Sequence, residues 1–171
     1  MAELFERQFH LSLETTTAEA FVQTIHSSAN TFVAEHVCRS TAYQKEIAHV
    51  NEDSIPDFTR GATRATFLIM LKEVIVLHPS TKPFLEGMIQ NPSQENSEVT
   101  TDVTQALSFT VSPIQFGLIM LGYDIANIKS APAGQKSQLA LHDPNAYING
   151  YLFVTNSLLK NRPYMISPER N

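Results

Sequence analysis

The sequence predicts a mainly α, single-domain bundle of five or six helices around an apolar central helix over residues 113–128. Three observations predict it. Apolar residues recur at helical spacing in several separate runs, and Ser, Thr, Asp and Pro stand where those runs begin. No period of 20–50 residues repeats, which excludes a solenoid. At 171 residues the chain can close one core, removing roughly 70% of its unfolded surface from water.

Taken in order, residues 5–13 alternate. Phe5, Arg7, Phe9, Leu11 and Leu13 share one side if the segment is extended, so residues 1–14 read as a β-strand or an extended arm. A lone strand needs a partner, and pairing across a dimer would supply one. Thr16–Glu19 has the spacing of a capping box. The helix it opens carries the stripe Phe21, Ile25, Ala29, Phe32, Val33 and Val37, continuing through Tyr43 and Ile47 to about Val50. Past the polar break at 51–54, Ser54 as cap and Pro56 in the first turn start a second long helix. Its Val-Ile-Val-Leu end has the composition of a buried strand. The amphipathic spacing from Phe58 through Ala62 and Ala65 to Leu68 decides for helix as far as Pro79.

Pro83 opens a short helix, residues 91–98 read as a surface loop, and Val99 to Val111 form another amphipathic segment. Ser112-Pro113-Ile114-Gln115 is the strongest local start signal, with Ser as cap, Pro first in the helix and Gln closing the box. The run that follows is apolar on most sides, which makes it the expected centre, with Leu118 inside. Gly117 and Gly122 cost about 1 kcal/mol each against Ala in a helix, so they suggest close helix approach or an apolar pocket. Residues 129–138 are a linker. Asp143-Pro144 starts the last helix, whose apolar face holds Tyr147, Ile148, Tyr151, Leu152, Val154 and Leu158. Pro163 ends it and leaves 163–171 as a flexible tail.

Charge narrows the function. Twelve bases against 17 acids give a net charge of −5, and charged residues are 17% of the chain, below the usual quarter. No basic cluster offsets the acidity, so a nucleic-acid partner is not expected. No apolar stretch reaches the roughly 18–20 residues of a membrane span. The acidic N-terminus lacks a signal-peptide pattern, which makes a soluble, cytoplasmic protein the default; a dedicated secretion system would leave no such mark.

Catalytic and metal motifs are sparse, and no catalytic residue, metal site or cofactor is expected. Glu46-Ile47-Ala48-His49 places two ligand types one helical turn apart, but di-iron bundles use that unit twice. His78 reads as a helix C-cap, and His26 and His36 fall on different faces. Gly61-Ala62-Thr63-Arg64 lacks the ending of a phosphate loop. Asp57 and Arg60, at i and i+3, read as a surface pair, and the single Cys38 as a small core residue.

The reading that remains is a non-catalytic protein-interaction module, an adaptor, regulator, inhibitor or secretion partner. Its partner is another protein or a second copy of itself. Tyr147 and Tyr151, one turn apart, are the expected partner-binding anchors, with Phe5 and Phe9 next, since aromatics are enriched where proteins meet. Core packing of the two tyrosines is the competing reading. The alternatives are a ligand- or cofactor-binding sensor with a pocket beside the glycines, and an enzyme whose site is assembled from scattered residues.

Overall fold

The computed structural model describes residues 17–90, 97–129 and 143–161. These form seven α-helices: α1 (Ala18–Phe32), α2 (Thr41–Ile47), α3 (Ile55–Leu77), α4 (Thr81–Gln90), α5 (Ser97–Ser108), α6 (Pro113–Lys129) and α7 (Pro144–Asn161). No strand occurs among the described residues. The expected arm at 1–14 and the tail at 163–171 lie outside them, as does the linker expected at 129–138 except for Lys129, which is the last residue of α6.

The local start signals explain most boundaries. Thr17, one residue after the expected cap, accepts a hydrogen bond from the Ala20 amide at 3.1 Å. At α6 the expected reciprocal box is present: Ser112 Oγ accepts from the Gln115 amide at 3.2 Å, and Gln115 Oε1 accepts from the Ser112 amide at 3.3 Å. Asp143 caps α7 through the amides of Asn145 and Ala146.

Two expected elements differ. The first helix does not run to Val50. It widens into a π-turn over Val33–Val37, and Ser40 then caps a separate α2 by accepting from the Tyr43 amide. That break raises the helix count above six. Ser54 does not cap α3 with its side chain; its hydroxyl donates to Asp143 Oδ2 at 2.7 Å, while a 3₁₀ turn over Glu52–Ser54 leads into the helix.

The central helix is α3, not 113–128. Fifteen of its 23 residues are buried, and it packs against α1, α4, α5, α6 and α7. Helix α6 is as apolar as the sequence suggests, yet Leu118 is 41% exposed and Tyr123 45%. The difference has a physical source. An apolar composition marks α6 as buried on average, whereas position in the bundle depends on which helix can be touched from every side. Residues 65–75 of α3, buried at every position, give that all-round surface.

The largest helix pair is α3 with α7. A Cβ on Gly61 would overlap the carbonyl oxygen of Tyr147, and one on Gly150 would overlap that of Phe58. The two backbones therefore touch at both glycines, a role their lack of a side chain makes available. The glycines that the sequence brings forward behave differently. Gly122 has open space around it, and Gly117 faces the side chain of Ile69.

Beside this crossing, Tyr43, Phe58 and Phe153 form a ring cluster with centroids 5.8–6.1 Å apart. The Tyr43 hydroxyl lies 2.7 Å from Thr59 Oγ1. Asp57, read from spacing as half of a surface pair, is instead buried and accepts the Asp143 amide at 2.5 Å. It ties the start of α3 to the start of α7.

Candidate functional site

The most unusual chemistry lies where α3, α5, α6 and α7 converge. Arg64 of α3 meets two buried aspartates. Its Nη1 and Nη2 donate to Asp102 of α5 at 2.8 and 2.9 Å, a bidentate fork. Its Nε and Nη2 donate to Asp124 of α6 at 3.1 and 3.2 Å. The Tyr147 hydroxyl of α7 donates to Asp124 Oδ2 at 2.8 Å. Tyr151, one turn on, donates to the carbonyl of Gly117, linking α7 to α6 again.

One guanidinium and two carboxylates leave this trio with a net charge of −1 in a largely dry place. The aspartate side chains are only 7% and 4% exposed, and the arginine 23%. Burial pulls the Arg64 proton affinity down, but the two carboxylates more than reverse this, so the guanidinium stays charged. Burial, reinforced by the Asp124 charge, pushes both tyrosine hydroxyls well above their ordinary range; they remain donors at neutral pH. Asp102 is also raised: burial dominates, Asp124 adds to it, and Arg64 offsets these only in part.

The sign of the Asp102 shift gives a pH prediction. A folded state that holds this proton more tightly than the unfolded chain gains stability below the ordinary value of 3.8 and loses it as pH rises through the raised value. Between the two, wild type should lose stability with rising pH relative to Asp102→Asn, because other groups titrate alike in both proteins. Melting temperatures of the pair from about pH 4 to 7 measure this. A difference that does not change with pH would mean that folding leaves the proton affinity of Asp102 as it is in the unfolded chain.

A second buried charge closes α5. Lys72 Nζ donates to the carbonyls of Ala106 and Phe109 at 2.6 and 2.5 Å and lies 6.0 Å from the centre of the Phe116 ring. The ammonium satisfies carbonyls that a helix end leaves without partners. Burial lowers its proton affinity, and Lys82 adds to this.

The cluster also explains a property of the surface. Over the thirty residues from Val99 to Ile128 the only charged side chains are Asp102 and Asp124, and both point inward to Arg64. Between Val99 and Ile128, α5 and α6 therefore turn no charged side chain outward. That stretch carries Thr101, Ser108, Gln115, Leu118, Gly122, Tyr123 and Ala126 as exposed residues. Leu118 and Tyr123 are two of the three large hydrophobic residues exposed among the described residues.

The expected anchors sit elsewhere. Tyr147 and Tyr151 are 1% and 0% exposed, with rings 6.5 Å apart inside the core, so neither presents a surface to a partner in this structure. Their hydroxyls find acceptors inside, and that lets two polar-tipped rings be buried. Phe5 and Phe9 lie outside the described residues. Glu46 and His49 do not share a helical face, because α2 ends at Ile47. His26 and His36 lie against Phe67 and Phe32 respectively. Among the described residues no group of three or more His, Cys, Asp or Glu is placed to hold a metal ion, and no helix is long and apolar enough to cross a membrane.

Two surface grooves lie among the described residues. One of ≈520 Å³ follows the exposed side of α1 from Thr24 to His36, with Met70 at its floor. Another, of ≈350 Å³, lies between Glu46 of α2 and the Asn149–Ser157 side of α7. Neither borders the glycines of α6. Compared with family models, with curated proteins and with solved structures, the chain finds no match.

Proposed function

We propose that the protein is a non-catalytic interaction module that docks another protein chain through the part of α5 and α6, between Val99 and Ile128, that turns no charge outward. One observation carries the reading: in a chain of 12 bases and 17 acids, thirty consecutive residues turn no charge outward while exposing Leu118 and Tyr123. Interface cores are depleted of charge and enriched in aromatic residues, and tyrosine is a frequent hot spot. The ionic cluster supports the same reading from below. It holds α5 and α6 to α3 at fixed positions, so the face is presented as a rigid surface, which lowers the ordering cost of binding.

The test compares wild type with Leu118→Asp and Tyr123→Ala. Both positions are more than two-fifths exposed, so both variants should fold, as circular dichroism can verify. The expected result is loss of partner binding, by about tenfold or more for Tyr123→Ala. Folded variants that keep every partner of the wild type at the same affinity would remove this face from consideration.

A further inference from the structure

We infer that the groove between α2 and α7 is a separate binding site, one that takes an arginine side chain carried on a peptide segment. It does not depend on the α5–α6 docking reading above. Glu46 of α2 lines it together with Asn149, Leu152, Phe153, Asn156 and Ser157 of α7. Among the described residues Glu46 is the one charged side chain in that lining, and its carboxylate forms no ion pair or hydrogen bond there. Helix α7 adds no charge of its own from Pro144 to Leu159. An uncompensated carboxylate at the edge of an otherwise uncharged groove favours a cation.

The remaining lining chooses among cations. A single carboxylate is too few hard ligands for a metal ion. Asn149, Asn156 and Ser157 add neutral acceptors, and their side chains make no hydrogen bond among the described residues. A guanidinium has enough planar N–H donors to fork onto the carboxylate and still reach a carboxamide oxygen, which an ammonium cannot do. The half-buried Phe153 ring is held by Tyr43 and Phe58 at 6.1 and 5.9 Å, so the part that lines the groove is a fixed surface on which a planar cation can stack. Leu152 offers apolar cover to the arginine stem. Glu46 follows Tyr43 by one turn of α2, and the buried Tyr43, bonded to Thr59, fixes the backbone from which the carboxylate projects. Asn149 and Asn156 are seven residues apart on one helix, about 10 Å along its axis. A carboxamide donates and accepts, as a peptide group does, so the pair can hold main chain on either side of the anchored arginine. That spacing assigns the arginine to a peptide rather than to a small guanidine compound.

Titration of the nitrogen-15-labelled full chain with the peptide acetyl-Gly-Gly-Arg-Gly-Gly-amide, followed by NMR, tests the site. The side-chain amides of Asn149 and Asn156 should shift together. Glu46 is exposed, so Glu46→Gln should fold, and it should weaken binding about fivefold or more. Glu86→Gln, an exposed carboxylate of α4, should change nothing. The same peptide with citrulline, which keeps the shape and loses the charge, should bind about tenfold more weakly. Citrulline binding as tightly as arginine, or Glu46→Gln binding as tightly as wild type, overturns the site. No shift at the two asparagine amides up to about 10 mM peptide overturns it as well. Methylguanidinium that matches the peptide in affinity overturns the peptide as the source of the cation.

Discussion

Arg64→Met should destabilise the protein by about 3 kcal/mol, the lower end of what breaking a buried ion pair costs, because the guanidinium is still 23% exposed and water can reach the vacated place. The substitution keeps much of the side-chain bulk and removes the one cation shared by Asp102 and Asp124. Two carboxylates would then be left facing each other with only the Tyr147 hydroxyl donating to one of them. For a domain of this size the loss corresponds to roughly 6–12 °C in melting temperature. Changing both aspartates to Asn in the same background should recover much of it, since the remaining cluster is neutral. An Arg64→Met protein within 0.5 kcal/mol of wild type in denaturant titration would mean that the cluster is solvated and holds nothing together.

Gly150→Ala should also be strongly destabilising, although alanine is the better helix former. Propensity favours the change by about 1 kcal/mol. Against it, the new methyl would occupy the position of the Phe58 carbonyl oxygen, and backbone cannot step aside as a side chain can. Forcing α3 and α7 apart opens the most extensive packing in the molecule, so a net cost of 3 kcal/mol or more is expected, at the upper end for overpacking. Gly61→Ala meets the Tyr147 carbonyl in the same way, and the double variant should not give soluble protein. A stabilised Gly150→Ala would show that the two helices do not touch there.

Much of the helix framework can be read from local chemistry. The caps at Ser112 and Asp143, the stop at Pro79 and the helical state of the Val-Ile-Val-Leu stretch follow from residue type and spacing, because those determinants act within four residues. The arrangement of the helices is a different matter. Nothing local distinguishes Gly61 and Gly150, which meet a backbone, from Gly122, which meets open space. The ionic cluster left a partial signal: Arg64 falls on the same helical stripe as Gly61 and Leu68, and Asp124 is the lone charge in an apolar helix. A charge on a stripe that must be buried calls for a partner, but its partners are 38 and 60 residues away. Local spacing likewise does not separate surface from core for Tyr147 and Tyr151, which are buried. Their spacing suits either place, and only the acceptors waiting at Asp124 and Gly117 decide between them.

The pairing of α3 with α7 also sets a timetable for the chain as it is made. Helix α3 is complete at Leu77, but the helix that covers it most extensively ends at Asn161, 84 residues later. At about 5–20 residues per second, translation needs roughly 4–17 s to cross that interval. Throughout it, a long and largely apolar helix lacks its main cover, and the contacts of Asp57 and Gly61 with α7 cannot form. The nascent protein thus passes through a stage that invites chaperones or aggregation. Slowed synthesis between codons 78 and 161 would lengthen that stage without altering a single residue of the product.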